Sequence, residues 1–436
     1  MKKFSMNMAP NKNMVELTIQ SVAYGGMGIA RCDKLVYFVE TTLPNERVLA
    51  EIIERKKSYV IAKPIKIITP SPDRIMPPCE YFLLCGGCSY LHTQYESQLK
   101  LKKQQIYDII ERIAKIKDPP VEKTIASPQT FNYRNRITLH RRTATGPTIG
   151  FFSVDNKTLI PIEHCLIAHE SINNEMLLVR KMDAAKKLNL SKISEISLTC
   201  DKNVTTTLFT QKRTYHNNDC CYTRLNETQE IVSSNIPTLP ATSGTKTKPF
   251  LSFRFKKLNI LYSPYTFFQT NTEMLHILCE KLCEDIGEEV KTLIDAYCGV
   301  GIFSLILSDK CVKVIGIEEN AASERMARRN LSKNKISNVT FLNKRVEPSL
   351  GPILKENSFS RCTLLLDPPR SGLSYRVIKS ILFTPPQRII YISCEPTTLA
   401  RDLLKLSPLY TIKNIIPFDM FPHTKHVEVM TVLMRK

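Results

Sequence analysis

Cys394 follows the apolar run Arg388 to Ser393 and precedes Glu395-Pro396-Thr397-Thr398. That order predicts a thiol at the carboxyl end of a strand, with a helix beginning at Pro396 whose dipole favours a thiolate. Such a sulfur is either a nucleophile or one of the buried structural cysteines that proteins commonly carry. Glu428 sits in Val427-Glu428-Val429-Met430. A carboxylate alternating with apolar residues marks a solvated strand face or, behind the string Phe421-Pro422-His423-Thr424, a proton acceptor. His423 and His426 read as structural hydrogen-bonding residues ahead of proton shuttles.

Asp295-Ala296-Tyr297-Cys298-Gly299-Val300-Gly301 follows the strand-like run Thr292-Leu293-Ile294. Two glycines two apart allow a tight turn and close approach of a ligand beyond a strand end. The third glycine of a dinucleotide fingerprint is missing, which disfavours a pyrophosphate. Glu318 ends the next strand-like run, where a carboxylate accepts hydrogen bonds from ribose hydroxyls. Together these residues predict a site for a nucleoside-type ligand. Asp367, before Pro368-Pro369, is a turn residue or a member of the same cleft, and Gln269 is a polar loop residue or a hydrogen-bonding one.

Cys79, Cys85 and Cys88, the last two separated by Gly86-Gly87, form a compact thiol cluster, and Cys165 is the natural fourth member. Four thiolates hold either zinc or a [4Fe-4S] cluster, and spacing does not separate the two. His92 and His164 leave a mixed zinc site open.

The chain has 436 residues, with 61 Lys and Arg against 41 Asp and Glu, a net charge of +20. That surplus favours a polyanionic partner, nucleic acid ahead of an anionic membrane. No apolar run approaches the roughly 18–20 residues that span a bilayer. The start Met1-Lys2-Lys3-Phe4 has no apolar segment behind it, so no secretory leader is expected. A cytoplasmic, reducing setting follows, in which the 14 cysteines serve as ligands, catalysts or core residues and not as disulfides. Basic and aromatic residues interleave in Phe131-Asn132-Tyr133-Arg134-Asn135-Arg136 and Phe253-Arg254-Phe255-Lys256-Lys257. Such mixtures suit unpaired RNA, and equally suit strands with a solvated basic face.

The elements that must position these residues fall into three stretches. After a polar start over 1–13, short alternating runs up to Lys66 predict a small closed β-barrel. Pro64 to Pro78 reads as a linker. A helix is predicted from Thr93 to Ile116, then mixed strands, then an exposed loop from Ser233 to Pro249. Beyond Thr266, strand-like runs alternate with helical stretches, which predicts a parallel sheet flanked by helices. Thr411 to Pro417 and Val427 to Met434 read as a terminal hairpin.

Four strings narrow this picture: Phe267-Phe268-Gln269-Thr270-Asn271, Leu366-Asp367-Pro368-Pro369-Arg370-Ser371-Gly372, Ser393-Cys394-Glu395-Pro396 through Arg401-Asp402, and Met420-Phe421-Pro422-His423-Thr424-Lys425-His426-Val427-Glu428. Together, and in this order, they resemble the RNA uridine-C5 methyltransferase family over nearly the whole chain. The resemblance implies an α/β architecture with a Rossmann-like S-adenosyl-L-methionine-dependent methyltransferase domain over residues 263–436. It also implies an OB-like TRAM RNA-binding β-barrel over 1–68 and a mixed α+β central domain over 69–262. The central domain would hold a [4Fe-4S] cluster on Cys79, Cys85, Cys88 and Cys165, as in the family's 23S rRNA branch. Gln269, Tyr297, Glu318 and Asp367 would lie at the cofactor, Cys394 would add to C6 of uracil, and Glu428 would remove the C5 proton. The implied partner is RNA, 23S rRNA first, without a membrane or an obligate protein partner. Two positions depart from some members, which have Asn in place of Ile302 and of Glu395. A carboxylate beside the thiol would raise its pKa unless it points away. The competing readings are a non-catalytic, metal-containing RNA-binding or ribosome-assembly factor, methylation of tRNA uridine, and methylation of cytosine C5.

Overall fold

The apolar runs after residue 290 build one sheet. Across it the strands are Val339–Asn343, Cys311–Glu318, Val290–Ala296, Cys362–Leu366, Arg388–Ser393, Glu428–Arg435 and Tyr410–Phe418. The first five run parallel and Glu428–Arg435 runs antiparallel to both its neighbours, so the terminal hairpin expected from sequence is present, its second strand inserted beside Arg388–Ser393. The computed structural model describes residues 13–142, 148–185, 193–210, 220–225, 231–234, 250–287, 290–357 and 362–436. The polar start up to residue 12 and residues 235–249 of the expected loop lie outside the described residues; Ser233 and Ser234 belong to the strand Ile231–Ser234.

Helices cover both faces of this sheet, which explains why its central strands are apolar without alternation. Leu293, Val314, Leu365 and Ile390 face a core shared with the helix Thr272–Asp285 and the hairpin Leu251–Phe255/Leu258–Tyr262. Ile294, Ile317, Leu364 and Tyr391 face the other core, closed by the helices Val346–Glu356, Tyr375–Phe383 and Pro396–Leu406. Ile106, Ile109 and Ile110 join that second core from the helix Tyr95–Ile109 and the π-helical turn Ile110–Ala114. The helix expected over 93–116 is therefore real, but its last turn is wound as a π-helix and stops at Lys115 in the left-handed region.

The preceding stretch forms a seven-stranded antiparallel sheet from Arg136–Arg142 to Ile231–Ser234, backed by the helix Glu170–Ala184. At the start of the chain, six strands form a curled sheet in the order Met14–Thr18, Arg47–Arg55, Tyr59–Thr69, Leu35–Val39, Gly28–Cys32 and Ser21–Val22. Just past the first strand, the Gln20 amide donates to the Ile29 carbonyl at 2.7 Å, drawing the two ends of the sheet together. The linker expected from Pro64 begins later. Pro64 sits opposite Ala50 within the strand Tyr59–Thr69, at a register irregularity that spares the missing N–H.

Candidate active site

Strand register brings the thiol and the carboxylate together. Ile392 pairs with Met430 and Ser393 with Val429, so one step further along the ladder Cys394 falls opposite Glu428. Glu428 is flanked on its other side by Phe418 and is 2% exposed. The solvated face that alternation allowed is thus excluded, because the strand lies between two others. Its Oε1 has no hydrogen-bond partner. Burial first, and the charge of Asp367 second, hold the Glu428 carboxyl well above the usual range, while Arg370 opposes them.

Burial, then Glu428 and Asp367, push the Cys394 thiol up to about 11, again against Arg370. Burial and the two carboxyls thus oppose the dipole-stabilised thiolate expected from sequence. Glu395 caps the helix, its Oε1 accepting from the Thr397 amide at 3.4 Å and the Thr397 hydroxyl at 2.7 Å. A carboxylate at a helix start neutralises the dipole locally. The same contacts turn Glu395 toward Thr397, the orientation that the sequence departure required.

Arg370 is a member of this site that sequence reasoning passed over, although it stood inside the Asp367–Gly372 string. Its loop is clamped from the Pro396–Leu406 helix. Asp402 Oδ2 accepts from the Leu373 amide at 2.7 Å and from the Tyr391 hydroxyl at 2.9 Å, and Arg401 Nη2 donates to the Ser371 carbonyl at 3.0 Å. Tyr24 is a second. It arrives from the first sheet, on a loop whose Val22 and Ala23 carbonyls accept from Gln105 Nε2 at 3.2 and 3.1 Å. Its phenol is raised by burial first, then Glu395, with Arg370 opposing and Cys394 adding a smaller push. Nothing in its local sequence signals that position.

The glycine turn lies at the carboxyl edge of the same sheet. Tyr297, Gly299 and Gly301 all have positive φ, at 67°, 56° and 83°. A Cβ on Gly301 would come within 2.7 Å of Phe341, whereas one on Gly299 would meet nothing within 4 Å. The turn is therefore packed tightly on one side and open on the other, as close approach of a ligand requires. Glu318 is fixed under it, Oε2 accepting from the Gly299 amide at 2.9 Å and Oε1 from the Asn320 amide at 2.7 Å. Asp295 is fully buried, bonded to Ser304 at 2.6 Å through Oδ2, and its Oδ1 is unpartnered. Burial chiefly raises Asp295 to about 7; Asp367 also rises to about 7, by burial and then by the Asp295 charge. Gln269 is buried just before the Thr272–Asp285 helix, its main-chain carbonyl accepting from Asn135 Nδ2 at 3.2 Å.

The loop leading to Glu428 is held from outside the sheet. Lys102, fully buried on the Tyr95–Ile109 helix, donates to Asp419 Oδ1 at 2.5 Å and to the Phe421 carbonyl at 3.1 Å. Gln98 accepts from the His423 amide at 3.0 Å and meets His423 Nδ1 at 3.1 Å. The His423 ring stacks on Phe131 at 4.4 Å, and burial lowers its pKa to about 4, consistent with a neutral structural residue.

Cys79, Cys85, Cys88 and Cys165 line one cavity of about 250 Å3, with Leu91, Ile137 and Phe151 among its apolar walls. Among the described residues, no group of three or more His, Cys, Asp or Glu side chains is drawn together tightly enough to hold a metal ion. Though remote from Cys394 in sequence, the loop of Cys79, Cys85 and Cys88 touches the loop before Glu428: the Ser89 and Tyr90 amides both donate to the His423 carbonyl at 2.9 Å.

Comparison with known proteins identifies the family. Residues 94–436 match the model of the tRNA (uracil-5-)-methyltransferase family. An uncharacterized RNA methyltransferase of Protochlamydia amoebophila is 34% identical over 97% of this chain and 98% of its own length. One from Halalkalibacterium halodurans is 31% identical over 99% of this chain and 100% of its own. The Pyrococcus abyssi tRNA (uracil-54, C5)-methyltransferase, solved with S-adenosyl-L-homocysteine, is similar over 96% of this chain and 100% of that one, with a TM-score of 0.70 and 25% identity. No helix among the described residues is long and apolar enough to cross a membrane.

Proposed function

The chain belongs to the tRNA (uracil-5-)-methyltransferase family, and on that premise we propose that it uses S-adenosyl-L-methionine to methylate C5 of a uridine in RNA through a covalent bond from Cys394 to C6. The observation that carries this reading is the register that sets Cys394 opposite Glu428. Uracil C5 is a weak nucleophile. Addition of the Cys394 sulfur at C6 converts the ring to an enolate, whose C5 then attacks an electrophilic methyl. Bound at the glycine turn, the sulfonium cofactor supplies that methyl. The step needs both groups ionised, their protons lost to solvent beforehand: the Glu428 carboxylate takes the C5 proton, the ring electrons return, and the C6–S bond breaks to release Cys394 as a thiolate. A buried carboxylate with a raised pKa is a stronger base than an exposed one, which suits removal of a proton from carbon. Arg370 favours the anionic forms of both groups.

The residues present fit the cofactor. Glu318, held under the turn by the Gly299 amide, would accept from ribose hydroxyls, and Tyr297 lies in the turn itself, while the resemblance adds Gln269 and Asp367. Burial raises both Asp295 and Asp367, so a positive ligand bound near them would favour their ionised forms.

Cys79, Cys85, Cys88 and Cys165 would hold a [4Fe-4S] cluster. The support is that all four thiols line one cavity and that the family resemblance favours the cluster over zinc, either of which four thiolates can hold. Its role would be structural, through the bonds from Ser89 and Tyr90 to the loop before Glu428. The division into a TRAM barrel over 1–68, a central domain over 69–262 and a catalytic domain over 263–436, acting in the cytoplasm, belongs to the same proposal.

The RNA proposed first is 23S rRNA. A second reading, tRNA, is favoured by the likeness to the Pyrococcus abyssi tRNA enzyme. Mapping 5-methyluridine in rRNA and tRNA from cells with and without the gene tests both: loss at an rRNA position supports the first, loss at a tRNA position supports the second, and no loss in either rejects the function.

A further inference from the structure

The two basic-aromatic segments singled out in the sequence, 131–136 and 253–257, supply no reacting group to the chemistry above, yet they converge on one cavity. Asn132, Tyr133 and Asn135 of the first and Phe253 and Arg254 of the second line one cavity of about 630 Å3. That volume admits a nucleotide. Its remaining wall includes His169, the turn Asp201-Lys202-Asn203, and Glu273 and His276 on the first turns of the Thr272–Asp285 helix. One wall of the cavity is tied to the loop that the family resemblance assigns to the cofactor: the Asn135 amide donates to the Thr270 carbonyl at 2.8 Å and its side chain to the Gln269 carbonyl at 3.2 Å.

The lining offers the three things an unpaired nucleotide needs. His276, packed 4.7 Å from Phe253, offers a flat ring for stacking. Arg254, exposed at the hairpin, offers a cation for a phosphate. His169 offers a fixed donor: its Nδ1 accepts from the Ser171 amide at 3.2 Å as a helix cap, and burial lowers its pKa, so the neutral ring carries its proton on Nε2. Glu273 adds an acceptor for an exocyclic amine.

We propose that this cavity binds a second, unpaired nucleotide of the substrate RNA, seated beside the target uridine and setting which uridine reaches Cys394. The inference rests on the RNA-methyltransferase reading and deepens it.

The test uses the full-length protein and transcripts of 23S rRNA and tRNA carrying scattered 4-thiouridine. Photo-crosslinks should map to peptides 129–136, 200–203, 252–254 or 272–276, from an RNA position other than the methylated one. Arg254→Ala and, separately, His276→Ala should each weaken RNA binding by about tenfold, with cofactor affinity within twofold of wild type. Arg254 is a surface residue, so its variant keeps the test valid if the His276 variant misfolds. Crosslinks that avoid all four peptides, or Arg254→Ala binding RNA like wild type, would overturn the proposal even if the wild type forms 5-methyluridine. A wild type that crosslinks as expected but forms no methyluridine would reject the methylation reading and leave the cavity assignment standing.

Discussion

Cys394 and Glu428 lie across from each other at the end of an antiparallel ladder whose last pair is Ser393 with Val429. The inserted terminal strand, not the parallel sheet alone, thus places a carboxyl beside the thiol. Both groups rest in the protonated direction, since burial raises each and each is further raised by a neighbouring carboxyl.

A pH dependence follows. With the thiol near 11, the thiolate fraction grows about tenfold per unit between roughly pH 8 and 10. Single-turnover kcat/KM should climb with pH over that window until another step limits it. Arg370 lowers the thiol pKa, so Arg370→Ala should move the rising limb to higher pH. A limb unmoved by that substitution would remove Arg370 from the site's electrostatics.

Gly301→Ala tests the turn. The positive φ of 83° and the 2.7 Å approach to Phe341 both oppose a side chain. Strain of about 1–3 kcal/mol is expected, with cofactor affinity by calorimetry falling at least tenfold. Glu318→Ala should weaken cofactor binding without that strain, leaving the melting temperature closer to wild type.

Lys102 and Asp419 form a buried ion pair that anchors the loop before Glu428. Lys102→Met would leave Asp419 uncompensated, at a cost of about 3–5 kcal/mol. The double variant Lys102→Met/Asp419→Leu should recover much of that stability in denaturant melts. Failure to recover would place the loss in packing instead of charge.

Cys88 is next to the Ser89 and Tyr90 amides that hold His423. Anaerobically purified protein should carry about four irons and a matching content of acid-labile sulfide per chain. Cys88→Ser should lose them and also lower the melting temperature. Zinc without iron would reject the cluster.

Much of this was legible in the sequence because the catalytic sheet is made of continuous apolar runs between turn signals, and strand ends are where sites form. The Gly299 and Gly301 turn, the strand-end Glu318 and the terminal hairpin follow from such local rules. Register does not. Nothing local says that Glu428 is buried beside Cys394, because its alternation with apolar residues mimics a solvated strand. Glu395 read as a threat to the thiol because a helix cap and a free carboxylate look alike in one dimension. Tyr24 was invisible because only tertiary packing carries it more than 300 residues along the chain to Cys394. Pro64 read as a linker because the register irregularity that admits it into a strand leaves no sequence mark.

The central claim is the covalent bond to C6, and Glu428→Gln tests it. With substrate RNA and S-adenosyl-L-methionine, that variant should accumulate a denaturation-resistant protein–RNA adduct whose mass includes the added methyl and whose attached residue is Cys394. Adding Cys394→Ala should abolish it. An adduct that survives without Cys394, or a Cys394→Ala protein that methylates uridine near the wild-type rate, would contradict the mechanism.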